Sequence, residues 1–368
     1  MEDDIKYDYW WAGMPRCYQG QVKHVAMDAG STRRLYEMDK AELMTIDGIG
    51  EKYADDIIEK RKGWDISGEY DKLVNSGIRF IPWYSSEYPQ RLKAIKGHPF
   101  ALFCLGDFPD DNRLSVAVVG ARNCSQYGRM MASKFGTELA GYGVQVVSGM
   151  AYGIDGLAQE AALNAGGTSY AVLGCGVNIC YPPSNRILYE RLKENGGIIS
   201  EYGLYSKPMA SLFPPRNRII SALSDLVLVI EAREQSGSMI TVDMALEQGR
   251  EVAIVPGRIT DPLSTGCMKL CKQGAYPVTS AEDIMYILDE NFDNSKKSVI
   301  RSRVMLTEDE KRIYEVLEPY AKSIGEITDE SSVSFRDGIA ALVELCIKGL
   351  AAETGKGYYV KAKDCVAV

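Results

Sequence analysis

The chain has 368 residues, a formal net charge of −8 and a pI near 5.1, with 46% hydrophobic and 25% charged residues. That composition supports a sizeable core and excludes a surface uniformly adapted to nucleic acid. No apolar run reaches the ~20 residues of a membrane span, and the opening Met1-Glu2-Asp3-Asp4 is acidic where a leader would be basic, so a cytoplasmic protein is expected.

Residues 5 to about 80 follow a helical pattern without strand alternation and are expected to form a small helical domain, 1–80. Within it Ile46-Asp47-Gly48-Ile49-Gly50 separates Lys40–Thr45 from Tyr53–Lys60. Two short helices about a Gly-Ile-Gly turn suit a helix-hairpin-helix, either a phosphate-facing turn or a plain packing unit. From Phe80 to Asp107 aromatics and prolines alternate as in a connecting segment, and Phe100–Leu105 reads as an edge strand before Gly106.

The stretch Val116–Asp155 organises the rest. Val116–Val119 is a short β-rich run broken at Gly120, Ser125–Tyr142 is helical, and Val144–Val147 ends in Ser148-Gly149-Met150-Ala151-Tyr152-Gly153. Strand, glycine turn, helix, strand is a βαβ unit of a parallel sheet. The pattern repeats with strands at Tyr170–Leu173, Ile198–Ser200, Leu226–Ile230 and Val252–Val255. Helices are expected over Asn185–Glu194, Ile219–Leu223, Met239–Gln248 and Met268–Gln273. The fold class that follows is α/β: an extended Rossmann-like doubly wound parallel sheet over 81–290, with ligands at the C-terminal strand ends.

Asn291–Arg303 is polar and reads as a linker. Residues 304–368 form a compact tail: helices Glu308–Leu317, Ile324–Asp329 and Phe335–Ile347, then a hairpin turning at Gly355-Lys356-Gly357. Three helices and a two-stranded wing describe a winged helix. Its third helix bears Arg336, Asp337, Glu344 and Lys348, a mixed face that suits a partner-binding wing as well as a DNA reader.

Nine cysteines without close pairing are expected to be reduced thiols. Cys267 and Cys271 lie one helical turn apart, but the two histidines, His24 and His98, are distant, so no metal is expected. The turn Gly120-Ala121-Arg122-Asn123-Cys124-Ser125 has one glycine where a dinucleotide fingerprint needs three, so no nicotinamide cofactor is expected either. From Arg113 to Asp283, 15 Lys/Arg balance 15 Asp/Glu, and a neutral domain can carry a basic groove.

Four strand-end loops collect the candidate DNA-binding residues: Arg122 after the first strand, Ser148 and Gly149 after the second, Arg216, Asn217 and Arg218 before the fifth, and Ser236, Gly237 and Ser238 after it. The arginines flank the start of a helix, and Ser236-Gly237-Ser238 opens another as an N-cap and anion nest. Together they describe a phosphate-binding groove. No histidine lies in the α/β region, which excludes a Ser-His-Asp arrangement there. Asp155 is placed as a helix cap; Glu201 and Glu231 close two strands, as salt-bridge partners of Arg216 or Arg218 or as bases.

These motifs resemble the DNA-processing protein A (DprA, or Smf) family over nearly the whole chain. They are Val119-Gly120-Ala121-Arg122, SGMAYGIDGLAQEAAL at 148–163, LGCGVNICYPPSN at 173–185, ISE at 199–201 and FPPRNRIISALSDLVLVIEA at 213–232. SGSMIT at 236–241, ALEQGREVAIVPG at 245–257 and Ser264-Thr265-Gly266 continue the match. The resemblance implies a homodimeric, non-enzymatic protein that binds single-stranded DNA without sequence preference and helps load recombinase RecA during natural transformation. Two positions depart from the family: Gln159, where a histidine is usual, and Cys267, where an asparagine commonly follows the glycine. The competing class is an enzyme, since the sheet is similar to that of nucleotide phosphoribohydrolases of the lysine-decarboxylase-like group; their Pro-Gly-Gly-x-Gly-Thr loop is replaced here by Ser236–Thr241. A protein-only adaptor would account for the acidic flanks but not the loop arginines.

Overall fold

The computed structural model describes residues 4–14, 21–288, 306–318, 320–348 and 350–361. The opening residues 1–3 and the stretch expected as a linker, 291–303, lie outside them. The chain divides into two compact units, Met1–Ile300 and Arg301–Val368.

The first unit is built on a nine-stranded sheet among the described residues. Its strands are β1 (Arg79–Pro82), β2 (Ala101–Gly106), β3 (Ser115–Gly120), β4 (Gln145–Ser148), β5 (Ser169–Val172), β6 (Gly196–Ser200), β7 (Leu226–Ile230), β8 (Glu251–Ile254) and β9 (Tyr276–Pro277). The order is β1-β2-β6-β5-β4-β3-β7-β8-β9. From β6 to β9 every pairing is parallel; β1 and β2 are antiparallel additions beside β6. The chain runs outward from β3 through β4, β5 and β6, then returns to lay β7 on the other side of β3. The doubly wound α/β sheet expected from the sequence is what the chain forms.

Two-sided burial explains the near-continuous apolar strands. Along β3, Val116 and Val118 pack with Phe135, Leu139 and Ala158 from helices Gln126–Gly141 and Ile154–Asn164. Ala117 and Val119 point the other way, into a cluster with Ile219 and Val242 from helices Phe213–Ala222 and Gly237–Glu247. The period of two recurs in β2, where Ala101 and Phe103 join one cluster and Leu102 and Cys104 the other.

The N-terminal helices share that first cluster with the sheet: Tyr9, Trp10 and Trp11 are buried in it with Phe80, Phe103 and Leu173. The Gly-Ile-Gly turn joins helices Lys40–Leu43 and Glu51–Lys62, the first opened by an Asp39–Glu42 capping box. One expectation is corrected here. Phe100–Leu105 was read as an edge strand, but β2 is covered by β1, whose Pro82 suits the true edge because proline cannot donate to a further neighbour.

The second unit has helices Glu308–Val316, Ile324–Ser331 and Phe335–Ile347 and a small antiparallel sheet. Its strands β10 (Lys322–Ser323), β11 (Ala351–Gly355) and β12 (Tyr358–Lys361) pair in the order β10-β12-β11. All three helices begin at a serine or threonine whose hydroxyl accepts an amide hydrogen bond. Among the described residues no helix is long and apolar enough to cross a membrane.

Candidate nucleic-acid interface

The strand order reverses between β3 and β7, and open α/β sheets hold ligands at that point, outside the carboxyl ends of the strands. A groove of about 880 Å³ lies there. It is lined by the turn after β3 (Gly120–Asn123), the first turn of helix Phe213–Ala222, and the segment Ser236–Thr241 that opens helix Gly237–Glu247. Its charged lining consists of Arg122, Arg216, Arg233 and a single carboxylate, Asp155.

The candidate residues separate into two layers. Arg122 is in the upper one: it is exposed, and the described residues give it no hydrogen bond or ion pair. Its guanidinium sits 5.5 Å from the ring centre of Phe213, which in turn lies 5.7 Å from the ring of Tyr181. Glu231, the carboxylate that could have neutralised Arg122, is occupied elsewhere. It accepts the Ser125 amide at 2.8 Å and the Ser125 hydroxyl, fastening the start of helix Gln126–Gly141.

Helix Gly237–Glu247 begins without a side-chain cap. The Ser236 hydroxyl turns instead to the Ser238 hydroxyl, 2.8 Å away. The amides of Gly237 and Ser238 have no hydrogen-bond partner among the described residues, and both residues line the groove with the positive end of the helix dipole behind them, a ready anion site.

The lower layer is buried. Ser148 donates its hydroxyl to the Val118 carbonyl at 2.6 Å and is fully enclosed, so it braces β4 against β3 and meets no solvent. Gly149 donates its amide to Asp155 at 3.2 Å and accepts from Arg216 at 3.2 Å. Arg216 is 4% exposed; it also donates to the Val172 carbonyl and, through Nε, to Asn217 Oδ1 at 3.2 Å. Asn217 passes the chain on, its amide donating to the Gly237 carbonyl at 3.3 Å.

Arg216 and Asp155 are both buried, and each charge acts on the other's titration without a direct hydrogen bond or ion pair among the described residues. Burial pushes the Asp155 carboxyl up, with the Arg216 charge opposing, and burial pulls the Arg216 guanidinium down, with Asp155 opposing. Both charges bear a desolvation cost in this position.

Arg218, two residues on and therefore on another face of its helix, does not reach the groove lining. It forms a two-pronged pair with Glu201, at 2.9 and 2.6 Å, and donates to the Gly97 and Pro215 carbonyls. Burial alone would lower its pKa; the Glu201 charge and hydrogen bonds, with lesser help from Tyr202 and Tyr88, together outweigh that and raise it.

Backbone strain gathers at the same strand ends. Met150, after β4, and Glu231, after β7, both adopt positive φ, at 51° and 52°. Gln159 stabilises the first of these turns. It accepts the Met150 amide at 3.0 Å and donates to Ser169 and to the Tyr170 carbonyl, so every polar atom of this unusual residue is used. Gly153 takes φ 73° where a Cβ would strike the Ala121 and Arg122 carbonyls, so the Arg122 turn packs directly on the start of helix Ile154–Asn164. Cys267, the other departure, is a buried thiol under β7 whose burial pushes its pKa up to about 11. Phe213, Tyr181 and Arg233 were not singled out from sequence. The aromatic residues beside Pro214 and Pro182 were the available signal, since prolines hold the chain rigid where a ring is displayed.

Three comparisons bear on this geometry. The family model for DNA recombination-mediator protein A matches residues 79–289. Protein Smf of Escherichia coli K12 is 46% identical over 214 residues, 58% of this chain; the match spans 57% of that protein's length. The X-ray structure of DNA processing protein A from Streptococcus pneumoniae superposes with a TM-score of 0.67 and 31% identity, over 77% of this chain and 98% of that one. DNA processing protein A from Helicobacter pylori, whose structure describes that protein's single-stranded DNA binding mode, gives a TM-score of 0.52 and 28% identity, over 58% of this chain and 98% of that one.

Proposed function

The chain belongs to the DNA recombination-mediator protein A family, and from that premise we propose that its strand-end groove binds single-stranded DNA without sequence preference. One piece of geometry carries the reading: an exposed, unpaired guanidinium at Arg122, aromatic rings at Phe213 and Tyr181, and an uncapped helix start at Gly237 share one groove. A single strand needs these three things together, a cation and amides for its phosphates and flat faces for its bases. The stacking faces do not discriminate between bases, hence the lack of sequence preference.

Within this reading Arg122, Ser238 and the amides of Gly237 and Ser238 meet the backbone, with Arg233 beside them, while Ser148, Gly149 and Arg218 support the groove from below. The protein acts as a homodimer in the cytoplasm and hands its strand to recombinase RecA. It binds and delivers DNA rather than transforming it. Support for the last point comes from the carboxylates: Asp155, Glu201 and Glu231 are engaged by the Gly149 amide, Arg218 and Ser125, which leaves none of these three as a free base beside the groove.

Titrating a fluorescent homopolymer oligonucleotide against its duplex at matched salt tests the reading. Tighter binding of the single strand is expected; equal affinities would sink it. Release of free base from a nucleoside monophosphate would favour the phosphoribohydrolase class instead. Sedimentation of the full chain, and co-purification with RecA on a DNA strand, test the dimer and the hand-over.

A further inference from the structure

Arg216 was grouped with the phosphate contacts on sequence, and its surroundings assign it different work; the inference rests on the strand-binding reading above. We propose that Arg216 is a positioning residue, which sets the helix start at Gly237 through Asn217 instead of touching the DNA.

Two of the three donor nitrogens of Arg216, Nη1 and Nε, are engaged among the described residues. Nη1 bonds to the Gly149 and Val172 carbonyls, at the ends of β4 and β5, and Nε bonds to Asn217. Nη2 lies flat against Gly149, where an added Cβ would come within 2.7 Å of it. Asp155, 8% exposed, accepts the amide of the same Gly149 whose carbonyl Arg216 holds. A guanidinium so placed joins two strand ends that parallel pairing alone leaves free to splay.

Its effect on the groove runs through the side-chain amide of Asn217. Because Nε–H requires an acceptor, Oδ1 of Asn217 must face Arg216. Nδ2 is thereby turned the other way, and the acceptor it finds is the carbonyl of Gly237, the first residue of helix Gly237–Glu247. Reversing the Asn217 amide would set two donors against each other at Arg216 and two acceptors at Gly237. The arginine thus dictates the orientation of the asparagine, and the asparagine holds the first peptide of the helix whose free amides face the groove. Preorganised donors bind an anion without an ordering cost at the moment of contact.

Salt dependence separates positioning from contact. Counterions leave the DNA only where a protein charge neutralises a phosphate, at about 0.7 in slope per contact on a single strand. Arg216 is buried with Nη1 and Nε bound to the protein's own acceptors, so on this proposal it contacts no phosphate and its loss should weaken binding without changing the slope.

The test uses the full chain, a fluorescent homopolymer strand and a salt series on wild type, Arg122→Ala, Arg216→Gln and Asn217→Ala. Amide hydrogen exchange over residues 234–241 is measured beside it without DNA. Arg216→Gln and Asn217→Ala are expected to weaken binding by roughly tenfold, to keep the wild-type slope, and to exchange faster at the helix start. A slope reduced as in Arg122→Ala would make Arg216 a phosphate contact and overturn the proposal. So would unchanged affinity with only a lower melting temperature, or unchanged exchange in both variants. Should Arg216→Gln fail to fold, Asn217→Ala decides alone, since it cuts the chain of bonds while leaving Arg216 its two carbonyls. A wild type that binds no oligonucleotide would fail the strand-binding reading, and the exchange measurement, which needs no DNA, would still decide the positioning.

Discussion

Replacing Arg122 by alanine tests the upper layer of the groove most directly. The side chain is exposed and has no hydrogen-bond or ion-pair partner among the described residues; its guanidinium approaches the Phe213 ring at 5.5 Å, and its charge acts on buried Asp155. An exposed cation–π contact is worth about 0.5–1 kcal/mol, so the melting temperature should fall by a few degrees at most. Affinity should suffer more. A charge-assisted bond from a guanidinium to a phosphate contributes ~1.5–3 kcal/mol, which predicts roughly ten- to hundredfold weaker binding to a single strand. Loss of one phosphate neutralisation should also flatten the dependence of log affinity on log salt by about 0.7. Fluorescence anisotropy across a salt series, with thermal melting alongside, reads all three quantities. An unchanged slope would refute the phosphate assignment, whatever happened to the affinity.

Three further outcomes are expected. Glu201→Gln leaves Arg218 buried beside a neutral amide, and breaking such a pair should cost about 3–5 kcal/mol, read as a lower denaturation midpoint with the salt slope intact. A chain ending at residue 290 should keep its single-strand affinity to within about 0.5 kcal/mol, because the outward residues of helix Phe335–Ile347 include the apolar Phe335, Ile339, Val343 and Ile347 rather than a basic row; loss of binding in a folded truncated chain would refute this. In the second unit burial works to raise the Glu310 pKa, but the hydrogen bonds from Lys348 and Thr307 outweigh it and hold the carboxyl below 4.5. Its stabilisation is therefore complete above the unfolded-state pKa and lost as pH falls through the lower folded-state value; Glu310→Gln should flatten that acid limb in a pH-dependent melting series.

The sheet was legible because parallel strands buried on both faces leave a plain trace, short β-branched runs ending at glycine or a polar turn. Val116–Val119, Leu226–Ile230 and their companions fall on β3, β7 and the rest within a residue or two. β1 was not legible: Arg79-Phe80-Ile81-Pro82 is four residues ending in proline, and only antiparallel pairing with β2 makes it a strand. The candidate site divided along a similar line. Sequence singled out loops of which three line one groove, because strand ends and helix starts carry glycine, serine and arginine for local reasons. It could not rank them by depth. Arg216 and Arg218 differ by two positions, and which one faces the groove depends on the strand ends beneath each; β4 and β5 lie under one, Glu201 under the other.

That difference in depth carries a functional consequence. The groove holds three arginines against one carboxylate, but Arg216 is buried and donates through Nη1 and Nε to the Gly149 and Val172 carbonyls and to Asn217. The exposed charge reduces to Arg122 and Arg233, together with the half-charge of one helix start. So few charges cannot grip a polyanion tightly by attraction alone, and a strong salt dependence is not expected from one protomer. The remaining affinity has to come from uncharged sources: stacking on Phe213 and Tyr181, worth ~1–3 kcal/mol per base, and amides held ready by Asn217. A duplex offers neither its bases to those rings nor a backbone flexible enough to follow the strand ends. On the proposed reading, preference for single strands arises from the shortage of charge, and adding cations to the rim, as in Ser236→Lys, should raise duplex affinity by a larger factor than single-strand affinity. Equal gains for both substrates would show that charge, and not the rings and fixed amides, decides which nucleic acid the groove accepts.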